Sequence, residues 1–517
     1  MPIRSDFRPR PRKVEGGNIL TTQMRDYQAS MINNLTASWT GNYKTPAQTI
    51  FTELQKLVSR SRDQVQNNDY AKFFTTLLKT NVVGPNGFDF QSKAADESMS
   101  GMVKDLAAMG SINRAFKGWS RMLSADRFGR LTFCEMQRLF IAAVATDGEV
   151  LVRIHRGSKW NAYSFALEFI DPMYLDVMHN DQLSGGNIIE MGIEYNADDV
   201  PVAYHITKFP KGQLNSLASG YRMTGNRERV PATDILHCFL QEKVGQPRGI
   251  PWLATPLLRM NMQTGFEEAA LTNARAGAGK MGFFENSSDL DKIFDKDKQT
   301  GEIIDQADPG TWHELPPGVT AKEYDPTYPN NEFGAFTKAI LRGIAAGLGV
   351  AYHTLANDLE GVNYSSGRLG SQNERDAWMT LQAWMKDNFL YPVYEAWLDE
   401  QLVRGTVRVG GGKLRASDRE KYLEAEFQGR RWAGVDPKKE EDANQIAFNM
   451  RTKSLSQIIR ERAQDPDQVW QEIAEDEAKL EALGIKVQPV APSGGSSDEE
   501  ESDDESSSSD ADENENQ

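Results

Sequence analysis

Cysteine is nearly absent: Cys134 and Cys238 are the two in a chain of 517 residues. They form no C-x-x-C, and each sits in apolar company ("LTFCEMQRLF", "ILHCFL"), so each reads as a small buried hydrophobe in a reducing compartment. Histidine is also scarce. His155, His179, His205, His237, His313 and His353 never pair at i, i+3 or i+4, the spacing that puts two ligands on one helix face, so neither a metal nor a cofactor is expected. Long apolar runs are missing too: "FIAAVA" and "GIAAGLGVAY" fall far short of the ~20 residues a membrane helix needs. The N-terminal "MPIRSDFRPRPRKVEGG" lacks the apolar stretch of a secretory signal. Export is not expected, and neither is glycosylation at Asn363-Tyr364-Ser365.

The signatures of catalysis are lacking as well. "ARAGAGKM" fails as a phosphate loop because position 274 is Ala and position 281 is Met, and "VGGGKLR" fails because position 407 is Val. Ser365 and Ser366 have no G-x-S-x-G elbow, and Arg368 is no general base. The chain does not read as an enzyme.

Charge is plentiful and uneven. The formal net charge is -16, yet the last twenty residues, "DEEESDDESSSSDADENENQ", carry eleven Asp and Glu and no Lys or Arg; without them the balance is -16 + 11 = -5. A segment with no apolar material cannot offset its ordering entropy, so residues 486–517 read as a disordered acidic tail. At the other end Arg4, Arg8, Arg10, Arg12 and Lys13 alternate with Pro9 and Pro11, which suggests an extended basic arm over residues 1–44.

Between these ends lies a mixed α+β chain, predominantly α, long enough for two to four structural modules. Helical periodicity over Tyr43 to Leu78 places Phe51, Leu54, Leu57 and Val58 on one face. A second helical block ends at Asp147-Gly148 and turns into a strand from Glu149, opening a β-rich stretch that lasts to Phe239. Pro256 suits the first turn of a long helix whose face carries Leu257, Met260, Thr264, Leu271 and Ala274. After an irregular insert, "NEFGAFTKAILRGIAAGLGVAYHTLA" reads as another long helix. The polar stretch "GVNYSSGRLGSQNERD" follows, and a third helix starts near Asn373. Pro392 should kink that helix. Asp436-Pro437 and Asp465-Pro466 each mark a cap followed by proline at the first helical position.

Four separated stretches resemble one family, the portal proteins of tailed bacteriophages in their lambda-type branch. They are "RSRDQVQNNDYAKFFTTLLKTNVVGPNGF", "GQPRGIPWLATPL", "NDLEGVNYSSGRLGSQNERDAW" and the region Trp432 to Ile485, and they occur in the family's order. The resemblance implies a portal fold with wing, stem, clip and crown regions, assembled as a twelve-fold homo-oligomeric ring at a capsid vertex. Residues 45–240 would form the wing, β-rich from about 149. Residues 241–278 would be the first stem helix with its lead-in, 279–329 the clip and 330–356 the second stem helix. The tunnel loop would span 357–372, a long kinked wing helix 373–404 and a helical crown 405–485. The matching tunnel-loop positions are Asn363, Tyr364, Ser365, Ser366 and Arg368, with Arg368 able either to meet DNA or to pair with Glu374.

Such a protein would pass double-stranded DNA inward during packaging and outward at ejection. Its partners would be the terminase large subunit, major capsid and scaffold proteins, and head-tail completion proteins, assembled in the bacterial host cytoplasm and retained in the virion. A conduit should hold DNA weakly, since each phosphate neutralised by Lys or Arg adds affinity. Glu267 and Glu268 on the first stem helix are therefore candidates for lining the channel. The alternative is an intracellular oligomeric adaptor or chaperone-like protein that binds basic partners through its acidic tail.

Overall fold

The computed structural model describes residues 44–98, 101–208, 226–278, 282–286, 319–323, 333–432, 437–462 and 464–485. The basic arm up to residue 43, the acidic tail and most of the 279–329 insert lie outside the described residues.

Helix α1 (Pro46–Asn67) starts as its sequence demands: Thr45 and Gln48 close a capping box and Pro46 takes the first helical position. Its buried face is Ile50, Leu54, Val58 and Ser61, so the expected Phe51 lies off it, 39% exposed. Asn68 both ends α1 and caps α2 (Asp69–Leu78) by accepting from the Ala71 N–H. One π-helical turn, Lys79–Val83, extends α2 and stops at Gly84. Strand β1 (Asp89–Ser92), the hairpin β2 (Ala95–Ser98) and β3 (Gly101–Lys104), α3 (Leu106–Trp119) and α4 (Phe133–Asp147) follow.

The β-rich module begins at β4 (Glu149–Arg156), as the sequence suggests. β4 is the middle strand of an antiparallel sheet, flanked by β5 (Phe165–Ile170) and, from further along, Ile235–Phe239. A second antiparallel sheet holds β6 (Asp181–Gln182), β7 (Ile188–Glu190), β8 (Ile193–Tyr195), β9 (Pro201–Thr207) and β10 (Arg227–Pro231), and Ile235–Phe239 is β11.

Helix α5 (Leu257–Ala278) leads to paired strands β12 (Gly282–Asn286) and β13 (Val319–Glu323), then α6 (Phe333–Leu348) and α7 (Tyr352–Ala356). The helix expected over 330–356 is thus broken. Gly349 adopts φ +70 and ends α6, and Asn357 at φ +50 ends α7. Helix α8 (Tyr364–Met385) begins nine residues earlier than the expected Asn373, because Gly367 and Gly370 are tolerated inside it. A π-helical turn, Lys386–Leu390, joins it to α9 (Tyr391–Arg404).

That π turn is the form the Pro392 distortion takes. Proline has no N–H to offer the carbonyl four residues back, Asn388, and the Cys238 Sγ–H donates to that carbonyl instead, at 3.1 Å. Cys238 is buried as expected, and burial pushes its thiol up to about 12. Cys134 is only half-buried, which corrects the expectation for it.

Residues 405–428, expected as the start of a helical crown, carry three short strands as well as short helical turns. "GTVRVGGGK" makes the small hairpin β14 (Arg408–Val409) and β15 (Gly412–Lys413), and the chain returns through α10 (Arg419–Leu423) to β16 (Ala425–Gln428), which pairs antiparallel with β1. Glycines at 410 and 411, both at positive φ, supply the turn. Among the described residues α11 (Pro437–Asn449), α12 (Leu455–Glu461) and α13 (Pro466–Ala482) form the C-terminal helical region.

The core gathers sequence extremes. Phe116 of α3 has its ring centroid 4.2 Å from that of Phe90, 5.2 Å from that of Trp397 and 6.1 Å from that of Phe427. Phe389 stacks on Phe140 at 4.3 Å. Phe389 and Trp397 are therefore core packing.

Candidate functional site

The lead-in "GQPRGIP" is built around a side chain that rarely goes inside. Arg248 is 1% exposed; it donates through Nε and Nη2 to Glu149, and further to the backbone carbonyls of Leu175, Met191 and Pro172. Glu149 also accepts from the Gly249 N–H and faces His237 Nε2 at 2.9 Å. Burial alone would push the Glu149 carboxyl up, but Arg248 and His237 overcome it and hold the group at about 2. The backbone is equally constrained: a Cβ on Gly148 would stand 2.4 Å from the Ile250 carbonyl carbon. One ion pair thus pins the β-rich module to the segment that launches α5.

Helices α5 and α6 then pack antiparallel. Gly347 faces Pro256, Gly343 faces Arg259, and Phe266 stacks on Phe333 at 5.4 Å while meeting Phe336 edge-on at 5.0 Å. The buried face of α5 is Leu257, Met260, Gln263 and Ala270. The expected Leu271 is instead 64% exposed, and Thr264 serves as acceptor for Asn68 Nδ2 at 2.9 Å. Glu267 is half-buried, taking a hydrogen bond from Gln263 at 2.7 Å and facing Tyr70, whereas Glu268 is exposed. Outside this packing Leu258 and Met262 stand 71% and 65% exposed.

The far end of α6 carries the polar turn. Tyr352 Oη donates to Asp358 at 2.7 Å, Lys338 Nζ lies 3.1 Å from the same carboxylate, and Lys338 and Arg342 both lie against the Tyr352 ring. The Tyr352 hydroxyl, the Glu360 N–H and Lys338 hold the Asp358 carboxyl down at about 2. Burial, reinforced by Asp358, pushes the Tyr352 hydroxyl up to about 12. From the other side Glu374 of α8 accepts from the Ala351 N–H and the Thr354 hydroxyl, each at 2.8 Å. Glu374 therefore braces the turn through α7, not through Arg368.

Between these two anchors only residues 358–363 form the exposed turn, with Leu359 68% exposed and Gly361 at φ +74. Asn363 is exposed at its end, its carbonyl accepting the Gly367 N–H. Tyr364, Ser365 and Ser366 make the first turn of α8, and Arg368 is exposed one turn on. Glu267 and Glu268 lie on a different helix from these five residues. Arg248 and Glu374, the residues that hold the two ends of the assembly, went unassigned as anchors in sequence. A buried arginine carries no local signature, and the Glu374 contacts to the Ala351 N–H and the Thr354 hydroxyl join residues 20 or more apart in sequence.

Among the described residues no group of three or more His, Cys, Asp and Glu could hold a metal ion, and no described helix is long and apolar enough to cross a membrane. What the site offers is polar surface at the tip of a helix pair.

Residues 33–382 match the model of a family described as phage portal protein, lambda family. Over 479 residues the chain is 34% identical to a probable portal protein of Halomonas phage phiHAP-1, covering 90% of this chain and 88% of that one. It is 21% identical over 376 residues to portal protein B of Escherichia phage lambda, covering 68% and 69%. A chain in the virion of a native gene transfer agent particle aligns over 80% of this chain and 94% of its own, with 14% identity and a TM-score of 0.42.

Proposed function

The chain belongs to the lambda family of phage portal proteins, and from that premise we propose that it assembles as a ring through which double-stranded DNA enters and leaves the capsid. The observation that carries the ring is apolar surface left uncovered on the α5–α6 pair. Leu258 and Met262, one turn apart on α5, and Phe336 of α6 are all more than half exposed, off the faces that the two helices bury against each other. Side chains of this size in one region suit burial against a neighbouring copy.

In this reading α5 and α6 are the stem and the residues between them, 279–329, are the clip that meets the terminase and later the head-tail completion proteins. Residues 45–240, with α8 and α9, make the wing that faces capsid and scaffold proteins; the crown is the helical region after residue 436. The turn at 358–363, with the first residues of α8, overhangs the channel. Its anchors at Asp358 and Glu374 hold it outward, and its exposed Asn363 and Arg368 give it polar contacts for a passing duplex. Glu268, exposed on α5, would line the channel, while Glu267 takes a hydrogen bond from Gln263. The work is conduction and docking, with chemistry left to the motor.

Exchanging residues 279–329 for the corresponding insert of a distant relative tests the docking assignment. Rings should form and packaging with the native terminase should fail. Normal packaging by such rings would place motor docking elsewhere.

A further inference from the structure

A cleft of about 1290 Å3 opens between the end of α2, the flank of α3, the start of α4 and the first turn of α13. Six cations line it, Lys79, Arg114, Lys117, Arg138, Arg430 and Arg431, against two carboxylates, Asp89 and Asp465. Asp465 is already engaged: it accepts from the Asp467 N–H and lies 3.7 Å from Lys93. Arg138 donates to the carbonyls of Gly84 and Pro85, and Arg430 to that of Thr80, contacts that fix the guanidinium groups without neutralising them. Glu135, three residues before Arg138 on α4, is bonded to Thr132.

Among the described residues none of the six cations has an ion-pair partner. The β-rich module is the opposite case, pairing Arg153 with Glu228, Arg156 with Asp234, Arg227 with Asp176 and Arg229 with Glu194. A chain with a net charge of -16 thus leaves a cluster of unneutralised positive charge in one cleft. Such a cleft focuses field on an anionic partner.

We propose that the partner is the chain's own acidic tail, residues 498–517. Those twenty residues hold eleven carboxylates and no cation. Geometry allows the return. The wall of the cleft includes Asp465 and Gln468 at the start of α13, a helix of 17 residues and so about 25 Å long. From Ile485 to Asp498 the chain can span at most about 45 Å, enough to double back along the helix. The helix offers little competition, since Glu472, Glu475, Asp476, Glu477 and Glu481 make its surface acidic and its one lysine, Lys479, is paired with Asp476. Seated in the cleft, the tail shields these cations from nucleic acid, which a conduit for DNA must not retain.

Carbodiimide coupling of the intact chain at low salt, mapped by mass spectrometry, tests the contact, because it joins an amine to a carboxylate only where the two touch. Lys79 or Lys117 should be joined to a carboxylate between 498 and 515. Lys421 and Asp105, 2.6 Å apart, are the internal control. Recovery of the control link with no tail link overturns the proposal, as do tail links found only between isotopically distinct copies. A second arm uses a short duplex DNA. A chain ending at residue 497 should bind it about tenfold more tightly than the intact chain, in a salt-dependent way. Arg114→Glu, Lys117→Glu and Arg431→Glu together should remove that gain, and Lys44→Glu, Lys56→Glu and Arg60→Glu should leave it. Equal binding by intact and shortened chains, or equal loss in both triple variants, would show that the tail does not cover this cleft.

Discussion

Glu149 shows how one residue can decide whether two modules stay joined. Its carboxyl is 1% exposed and ionised, which is tenable only while Arg248 and His237 face it. Arg248→Met should cost about 3–5 kcal/mol in chemical denaturation, because it strands a buried charge. Glu149 and Arg248 replaced together by apolar residues of similar volume should recover much of that loss. The sign of the pH dependence follows from the depressed carboxyl. From an ordinary value of 4.5 down to about 2, the unfolded chain takes up a proton that the folded chain refuses. This stability is complete above pH 4.5 and drains away as pH falls towards 2, on the order of 3 kcal/mol in all. A Glu149→Gln variant should show a correspondingly flatter profile over that window in denaturation midpoints taken at stepped pH; an unchanged slope would remove Glu149 from the account.

Among the elements, the turn at 358–363 is where the proposed function and folding should separate. Its anchors are Asp358, held by Tyr352 and Lys338, and α7, held by Glu374. Replacing residues 359–363 with a Gly-Ser linker of equal length should leave stability within about 0.5 kcal/mol, as surface changes away from buried contacts do. Packaging or genome retention should fail, read as nuclease-protected DNA length in particles complemented with the variant. A full and stably held genome would make the turn a plain connector. Strong local codes made much of this level legible: Gly148 after α4 and Asp465-Pro466 mark termini where the structure has them. What the sequence hid was decided by tertiary partners. The break at Gly349 looked like continuing helix because its flanks keep helical spacing. The early start of α8 looked like loop because Gly367 and Gly370 resemble turn residues, although Gly370 is where the helix meets the His353 ring, 2.9 Å from an added Cβ.

At the scale of the whole molecule, the order of modules was readable and their joining was not. The pairing of β1 with β16 ties residue 89 to residue 428, and no periodicity forecasts a contact of that range. The uncovered Leu258, Met262 and Phe336 are the surface that the proposed ring would bury against a neighbouring copy. Substituting Leu258→Glu and Met262→Glu together should leave the protomer folded and weaken assembly, measured by light scattering. The most direct test of the portal reading is electron microscopy of the purified intact chain. Rings with a central hole, surrounded by the α5–α6 pairs, are expected; a population of monomers or compact dimers at all concentrations would contradict a portal.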